Sequence, residues 1–427
     1  LLRPLCELKA CPLSELNLSN IQLNDKAGAK LLSSLSVGLG KKNNGYDKIT
    51  SLSLAGNELG DSTGHMLKEV LWGERAPCVL RFLDLSSNVD MSGHDIALAI
   101  RRNESLTSLD IRSIPSANTD SVFSSIGSFL LQEECQCRLG FFSCDAFRVA
   151  KDQLDLCLKP PATPEPEPPS KVNPKRLRDA VLMLLAGILK FNTSLTKLEV
   201  LDMGLDDAAA KNFNLALREN TVLEHLDISG NPLGAEGVAL ISDAVSTHPG
   251  LASFKVDGAA LPVPQVRGAK GTDPRLDVGD WGLGPLSGYA IGTITKQSTS
   301  LTEMILKNNA LGPDGAAAVV NGLGECGIKT LDLTRNSLAD ETMPIGTLCA
   351  SICRHLGLLL ELRMDENDLD CDADELAPLC RLRNLRTLSM DKNRLTTLPA
   401  LVGTMLTLRK ISLHTNQLVT LPPSICL

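Results

Sequence analysis

The residues most able to do chemistry in this sequence are its thirteen cysteines and six histidines. Cys135, Cys137 and Cys144 lie close together along the chain, but a tetrahedral metal site needs a fourth ligand, and no such complement is visible. An odd number of cysteines without paired CxxC spacing favours reduced thiols over a disulfide framework. The sequence therefore predicts a reducing, cytoplasmic environment, with no metal ligands and no cofactor.

The histidines are scattered rather than grouped around a reactive side chain. Four fall in predicted helical segments and two on outward strand positions: His65, His94, His248 and His355, then His225 and His414. The sequence has no GxxxxGK[ST], HExxH or GxSxG motif. The glycine-rich "GDWGLGPLSG" fits the repeat described below, with Leu276, Val278 and Trp281 as core positions. We therefore predict a non-enzymatic chain without catalytic residues.

The overall charge and the apolar pattern exclude two further classes of function. The formal net charge is −8, whereas nucleic-acid binding needs a basic surface. No run of about eighteen apolar residues is present to insert into a membrane. The predicted partners are therefore proteins.

One template, LxxLxLxxNxL, recurs along the whole chain in about fourteen copies. Clear copies are "LEHLDISGNPL" from Leu223, "IKTLDLTRNSL" from Ile328 and "LRTLSMDKNRL" from Leu385. The alternating leucines predict a short strand with one buried face, and the asparagine is placed to bond the loop backbone of a neighbouring turn. Each copy is thus expected to be one turn of a repeat structure.

Successive copies are separated by 27 to 31 residues over most of the chain, which leaves room for a helix. "GAEGVALISDAVSTHPG" places Val238, Ile241 and Val245 at helical spacing. The chain thus resembles the leucine-rich-repeat family, in its ribonuclease-inhibitor-like subclass. The resemblance implies an α/β solenoid, a curved horseshoe with a parallel β-sheet on the concave face and helices on the convex face. Near the C-terminus the step shortens to 26 and then 23 residues, and "LTTLPALV" and "LVTLPPSI" resemble a shorter LxxLP-type repeat.

We expect one solenoid over 1–427, divided into four segments. These are N-terminal repeats (1–157), a proline-rich insertion loop (158–174), ribonuclease-inhibitor-like repeats (175–370) and shorter LxxLP-type repeats (371–427). The segment "LKPPATPEPEPPSKVNP" has seven prolines and cannot enter a helix interior or a central strand. It is interpreted as a loop inside one repeat, with a break between two arcs as the alternative. Neither end shows a polar cap, so we expect a longer protein or ends covered by partners.

The residue between the last two leucines of each copy points away from the core, so these residues form a column with a spacing of about 4.8 Å. Six of its fourteen members are carboxylates: Asp84, Asp110, Glu199, Asp227, Asp277 and Asp332. The others are Asn17, Ser53, Gly140, Lys255, Ile305, Arg363, Ser389 and Ser412. The acidic residues either keep the sheet hydrated or form a groove that attracts a basic partner segment.

Two smaller sets complete the candidate partner-binding face. Cations gather on the last two repeats, namely Arg386, Lys392, Arg409 and Lys410. Apolar residues at outward positions are candidate binding hot spots, namely Phe82, Phe142, Leu201, Ile305 and Leu360.

The repeat pattern and the lack of catalytic motifs predict a protein–protein interaction scaffold, a subunit of a hetero-oligomeric assembly such as a cytoskeletal or ciliary complex. One alternative is a GTPase-activating protein resembling the Ran GTPase activator, although that family ends in a strongly acidic tail. Another is the sensor module of a nucleotide-binding leucine-rich-repeat receptor.

Overall fold

The computed structural model describes residues 13–39, 49–72, 78–160, 173–339 and 343–426. By their contacts these residues divide into two compact units. Unit 1 comprises Leu1–Glu199 and Met203–Leu223, and unit 2 comprises Val200–Asp202 and Glu224–Leu427. In both units strands of two to four residues alternate, over most of the length, with a helix or a short turn of 3-10 helix.

Unit 1 carries a six-stranded sheet in the order β1 to β6. The strands of unit 1 are β1 (Glu15–Asn17), β2 (Ser51–Ser53), β3 (Phe82–Asp84), β4 (Ser108–Asp110), β5 (Phe141–Ser143), β6 (Arg148–Val149), β7 (Asp155–Leu158) and β8 (Lys197–Val200), of which only the last residue is assigned to unit 2. Its helices are α1 (Asp25–Leu39), α2 (Asp61–Trp72), α3 (Gly93–Ile100), α4 (Asp120–Leu130), α5 (Pro174–Phe191) and α6 (Asp207–Glu219). Strands β1 to β5 pair in parallel, and β6 is antiparallel to β5.

Unit 2 repeats the same alternation. Its strands are β9 (His225–Asp227), β10 (Ser253–Lys255), β11 (Leu261–Pro262), β12 (Arg275–Asp277), β13 (Glu303–Ile305), β14 (Thr330–Asp332), β15 (Glu361–Arg363), β16 (Thr387–Ser389) and β17 (Lys410–Ser412). Its helices are α7 (Ala235–Thr247), α8 (Val263–Val266), α9 (Pro285–Thr295), α10 (Gly312–Gly322), α11 (Ile345–His355) and α12 (Ala373–Leu376). Turns of 3-10 helix occupy Leu323–Glu325, Ala377–Arg381, Ala400–Thr404 and Pro423–Cys426.

The leucine spacing explains both the strands and the parallel sheet. In β3 the middle residue, Leu83, is buried, while Phe82 and Asp84 on either side point outward; Leu85 then returns to the core. Because a helix connects each strand to the next, consecutive strands run in the same direction, and β12 to β17 are paired in parallel throughout. In each unit the predicted α/β leucine-rich-repeat fold class is confirmed.

The repeat asparagines bond the backbone of neighbouring turns, as the sequence predicts. Asn393 is typical: its Nδ2 donates to the carbonyls of Met364 (3.1 Å) and Met390 (3.0 Å), and its Oδ1 accepts from the amides of Asn367 (3.0 Å) and Leu369 (3.1 Å). Equivalent bonds are made by Asn57, Asn88, Asn231, Asn309, Asn367 and Asn416. These amides satisfy backbone groups that the short strands leave unpaired inside the core.

A second set of asparagines, which sequence reasoning missed, ends the helical half of some repeats. Asn103, Asn192 and Asn220 each lie three residues before the first leucine of a strand, and each Oδ1 accepts from that leucine's amide. Their Nδ2 groups donate to carbonyls of the preceding repeat, for example Asn220 to Leu189 at 2.8 Å. The N-x-x-L spacing is the sequence signal for this role.

Carboxylates at the start of one repeat's helix also cap the helix of the next repeat. Asp25 accepts from the amides of Gly60 (2.9 Å), Ser62 (3.1 Å) and Thr63 (2.8 Å) at the start of α2. Burial would raise the pKa of this carboxyl, but its hydrogen bonds to Thr63, Ser62 and Gly60 outweigh burial and hold the pKa well below its usual range. These bonds satisfy helix N-terminal amides that have no intrahelical partner.

The elements on both sides of the proline-rich segment belong to unit 1. Strand β7 precedes it, and helix α5 follows it and packs against α4. Gly127 and Gly187 allow this close approach, because a Cβ on Gly127 would lie 2.7 Å from the Leu184 backbone nitrogen. Residues 161–172 of the predicted insertion loop, and the first twelve residues, lie outside the described residues. The predicted segment boundaries therefore stay predictions.

Candidate functional site

The outward residues of β1 to β5 form a continuous face on unit 1, here called the Phe82 face. It comprises Glu15, Asn17, Ser51, Ser53, Phe82, Asp84, Ser108, Asp110, Phe141 and Ser143. The register places Phe82 between Ser51 and Ser108, and Asp84 between Ser53 and Asp110. Because both neighbours of Phe82 have short side chains, its ring stays 38% exposed.

The carboxylates predicted for the acidic column lie at strand positions in each unit, and they also have a structural role. The aspartates, and Asn17 at the same position, each accept a hydrogen bond from the backbone amide two residues later, and so hold the turn that leaves the strand. Asn17, Asp84, Asp110, Asp227, Asp277 and Asp332 all make this bond. This local bond is the Asx-turn for which Asp and Asn are favoured after a strand.

Cations on the same face neutralise much of the column. The Arg112 guanidinium lies 2.6 Å from the Asp110 carboxylate, and this hydrogen bond raises the pKa of Arg112. In unit 2 the Lys255 ammonium lies 3.1 Å from Asp227. Glu199 pairs with Lys197 and Asp277 with Arg275. The carboxylates are therefore mostly members of ion pairs rather than a uniform acidic strip.

Asp84 differs from these paired carboxylates. Its Oδ1 accepts from the Ser86 amide (3.0 Å) and hydroxyl (2.7 Å), and its Oδ2 accepts from the Ser53 hydroxyl (3.2 Å). Within the described ranges no cation lies within 4.0 Å of it. A negative charge thus lies next to the exposed Phe82 ring without a direct ion pair, although it is close enough to the Arg112 guanidinium to contribute to the raised pKa of Arg112.

The register predicted from the sequence for β5 is wrong, and this changes the predicted positions of Phe142 and Gly140. In "LGFFSC" the core positions are Leu139, Phe142 and Cys144, so Phe142 is only 1% exposed and is no surface hot spot. The column position at this strand belongs to Ser143, which pairs with Asp110, and not to Gly140. The outward aromatic that sequence reasoning missed is Phe141, which lies in line with Phe82 two strands further on, with Ser108 between them.

The other predicted apolar residues are covered to different degrees. Ile305 occupies the outward position between Asp277 and Asp332, but neighbouring side chains leave it only 9% exposed, so its predicted exposure is wrong. Leu201 and Leu360 are half-buried. Phe82 is therefore the predicted hot spot that the structure leaves open.

The cations of the last two repeats are exposed. Lys410 lies on β17 at an outward position, and Arg386 and Arg409 precede β16 and β17. None of these three has a carboxylate within 4.0 Å in the part of the chain that the structure describes. Lys392 instead pairs with Glu366 at 2.9 Å. The predicted positive group on unit 2 is thus made of Arg386, Arg409 and Lys410.

The three clustered cysteines, Cys135, Cys137 and Cys144, are buried, whereas Cys157 is exposed. Burial raises the pKa of the Cys137 thiol to about 12 and that of Cys144 to about 11, which keeps both protonated at neutral pH. A metal ligand must be the thiolate. Across the described ranges, no group of three or more His, Cys, Asp or Glu side chains is arranged to hold a metal ion.

One histidine differs from the others. His248 follows the C-terminus of α7, is 2% exposed and occupies the position of Asn103 and Asn220, with its Nδ1 accepting from the Gly250 amide at 3.2 Å. Its Nε2 has no hydrogen-bond partner, and burial together with the Arg267 charge lowers its pKa. His248 is therefore a neutral structural residue of the core.

Comparison with known proteins supports the interpretation of the recurring template as leucine-rich repeats. A family model described as Leucine Rich repeat matches residues 219–242 and 297–320. The chain is 29% identical over 286 residues to NACHT, LRR and PYD domains-containing protein 12 of Mus musculus, covering 63% of this chain and 25% of that protein. It is 26% identical over 194 residues to NACHT, LRR and PYD domains-containing protein 3 of Rattus norvegicus, covering 44% and 16%. The chain thus spans about a quarter or less of these relatives.

A solved internalin (inlF) from Listeria monocytogenes str. 4b F2365 aligns with 92% of this chain and 85% of its own, at 14% identity and a TM-score of 0.25. In the part of the chain that the structure describes, no helix has the length and apolar character needed to cross a membrane.

Proposed function

Because the chain is a leucine-rich-repeat protein, we propose that it is a non-enzymatic interaction scaffold that binds a protein partner through the Phe82 face. Proteins built from such repeats interact with other proteins through their extended sheet surface. The observation that carries the proposal is the exposed Phe82 ring, flanked by Ser51 and Ser108 and adjacent to the unpaired Asp84 carboxylate.

The chemistry of this site defines the partner. A large ring exposed between two small residues offers an apolar contact that an inserted side chain can desolvate. The Asp84 carboxylate next to it favours a cation on the partner and disfavours a carboxylate. The proposed partner segment therefore carries an apolar side chain followed or preceded by Lys or Arg.

The exposed cations of unit 2, Arg386, Arg409 and Lys410, provide a separate surface of opposite sign. We propose that they contact acidic groups, so that the scaffold joins an assembly with more than one protein. The described cysteines are free, which agrees with a reducing cytoplasmic compartment.

The second candidate is the sensor module of a larger receptor. It is favoured by the similarity to two proteins whose names include a NACHT and a PYD domain, of which this chain spans 25% and 16%. Sequencing the complete transcript distinguishes the two, since the receptor requires a nucleotide-binding domain in the same polypeptide, whereas the scaffold does not.

The proposal is tested by site-specific photo-crosslinking in cells that express the protein. Benzoylphenylalanine replaces Phe82 or Phe141 on the sheet, or Leu215 on helix α6 as a control of similar exposure; Phe82 is 38% and Leu215 is 42% exposed. We expect a discrete protein adduct from positions 82 and 141 but not from 215. Adducts from position 215 alone would contradict binding through the Phe82 face.

A further inference from the structure

On the helical side of unit 1 a cavity opens where consecutive helices end. It has a volume of about 300 Å³ and is lined by Trp72, Leu98, Arg101, Arg102, Phe129 and Gln132. Trp72 is the last residue of α2, Arg101 follows α3, and Phe129 lies in the last turn of α4. We call it the Trp72 cavity. It is separate from the Phe82 face, because its lining comes from helices and their C-terminal ends rather than from the strands.

The aromatic wall of the cavity is held in place. The Trp72 indole Nε1 donates to the Leu98 carbonyl at 3.1 Å, which fixes the ring. The Arg102 guanidinium lies 4.7 Å from the centroid of that ring, so it stacks on the indole. A guanidinium stacked in this way keeps its N–H edge free to bind an oxyanion in a bidentate manner.

Among the described residues, the arginines that line the cavity form no ion pair with a carboxylate. Arg101 and Arg102 are both exposed, and among the described residues neither has a carboxylate within 4.0 Å. Lys190 adds a third cation at the rim, where its Nζ donates to the Gln132 carbonyl at 2.9 Å. Glu133 and Glu134 follow Gln132 in the chain but form no ion pair with these cations.

Cations are also common at helix C-termini, where they balance the helix dipole. That role accounts for Arg101 directly after α3, and for Lys190 on the Gln132 carbonyl. It does not account for the stacking of Arg102 on Trp72, or for a cavity between them with Phe129 and Leu98 on its wall. At about 300 Å³ the cavity is at the lower end of the size of small-ligand sites.

We propose that the Trp72 cavity binds an oxyanion carried on a flat apolar group, with Arg101 and Arg102 donating to the oxyanion and Phe129 and Leu98 packing against the flat group. A phosphorylated tyrosine of a protein and a free nucleoside phosphate share this chemistry. The simplest probe of both is phenyl phosphate.

The sequence has two tryptophans, so fluorescence can report on this cavity alone. In a Trp281→Phe background, the emission of Trp72 is followed while phenyl phosphate is added. We expect a saturable change. The double variant Arg101→Gln/Arg102→Gln weakens binding by about tenfold or more, since two charge-assisted contacts are lost. Arg81→Gln is the matched control, because Arg81 is an exposed arginine of unit 1 outside this cavity, and it leaves binding unchanged.

If the double variant misfolds, the single variant Arg101→Gln tests the same contact. Circular dichroism checks that both variants are folded. Inorganic phosphate and benzyl alcohol are titrated separately, and each alone is expected to bind more weakly than phenyl phosphate. Comparing a phosphotyrosine peptide with adenosine monophosphate then identifies the source, according to which binds more tightly. Binding that is not saturable, that is matched by phosphate or benzyl alcohol alone, or that survives the arginine substitutions would overturn the proposal.

Discussion

Replacing Asn367 with alanine tests the role of the repeat asparagines. Asn367 is 1% exposed; its Nδ2 donates to the Leu333 carbonyl at 2.9 Å, and its Oδ1 accepts from the Asn336 amide at 2.7 Å. Alanine leaves these two backbone groups without their partner inside the core. An unsatisfied buried polar group costs about 1–3 kcal/mol, so with two such groups the free energy of unfolding should fall by about 2–6 kcal/mol.

Urea denaturation measures this loss, and amide hydrogen exchange locates it. We expect the Asn336 amide to exchange faster in Asn367→Ala, because it loses its acceptor. The control is Asn384→Ala: Asn384 is exposed and makes one bond, to the Gly357 carbonyl at 2.8 Å, so its loss should be below about 1 kcal/mol. Equal losses in the two variants, with unchanged exchange at Asn336, would refute the assignment of the asparagines as the ties between repeats.

Three further substitutions test the packing and the charged groups. Gly288→Ala places a Cβ 2.6 Å from the Gly315 Cα, so we expect a lower thermal midpoint, whereas Gly327→Ala, with no atom within 4 Å, should leave it nearly unchanged. The pKa of His248 is lowered from 6.5, so the stability linked to its neutral form is present above pH 6.5 and is lost as the pH falls through the folded pKa. His248→Asn should reduce this loss, which urea titrations at successive pH values measure. The pKa of Asp25 is lowered from 3.8, so the stability contributed by its ionised carboxylate is present above pH 3.8 and is lost on acidification below it. Asp25→Ala should lower the free energy of unfolding at neutral pH by about 1–2 kcal/mol and remove this loss of stability in acid.

The sequence predicts the repeat fold because the requirements for it are local. The spacing of Leu80, Leu83 and Leu85 alone decides which side of β3 is buried. An asparagine at the regular position of the template, such as Asn393, can likewise be predicted to hydrogen-bond the backbone. Where the template is weak, the register is ambiguous. "LGFFSC" offers two phenylalanines for one core position, and the sheet pairing assigns it to Phe142.

The surface properties of the site depend on residues that are distant in sequence. The charge of Asp227 is balanced by Lys255 on the next strand, and the exposure of Ile305 is set by its neighbours across the sheet. Periodicity does not contain this information. The Trp72 cavity likewise arises from three helix ends that come from successive repeats, and no motif in any one repeat predicts it.

Binding of a protein partner to the Phe82 face is tested most directly by measuring the affinity of the purified protein for the partner identified by crosslinking. Calorimetry compares the wild type with Phe82→Ser, with Asp84→Asn, which keeps an acceptor for the Ser86 amide while removing the charge, and with the control Leu215→Ser. We expect the affinity of Phe82→Ser to be weaker by about tenfold or more. For Asp84→Asn we expect weaker binding that depends less on salt, and for Leu215→Ser no change. Unchanged affinity in both sheet-face variants would contradict binding through the Phe82 face.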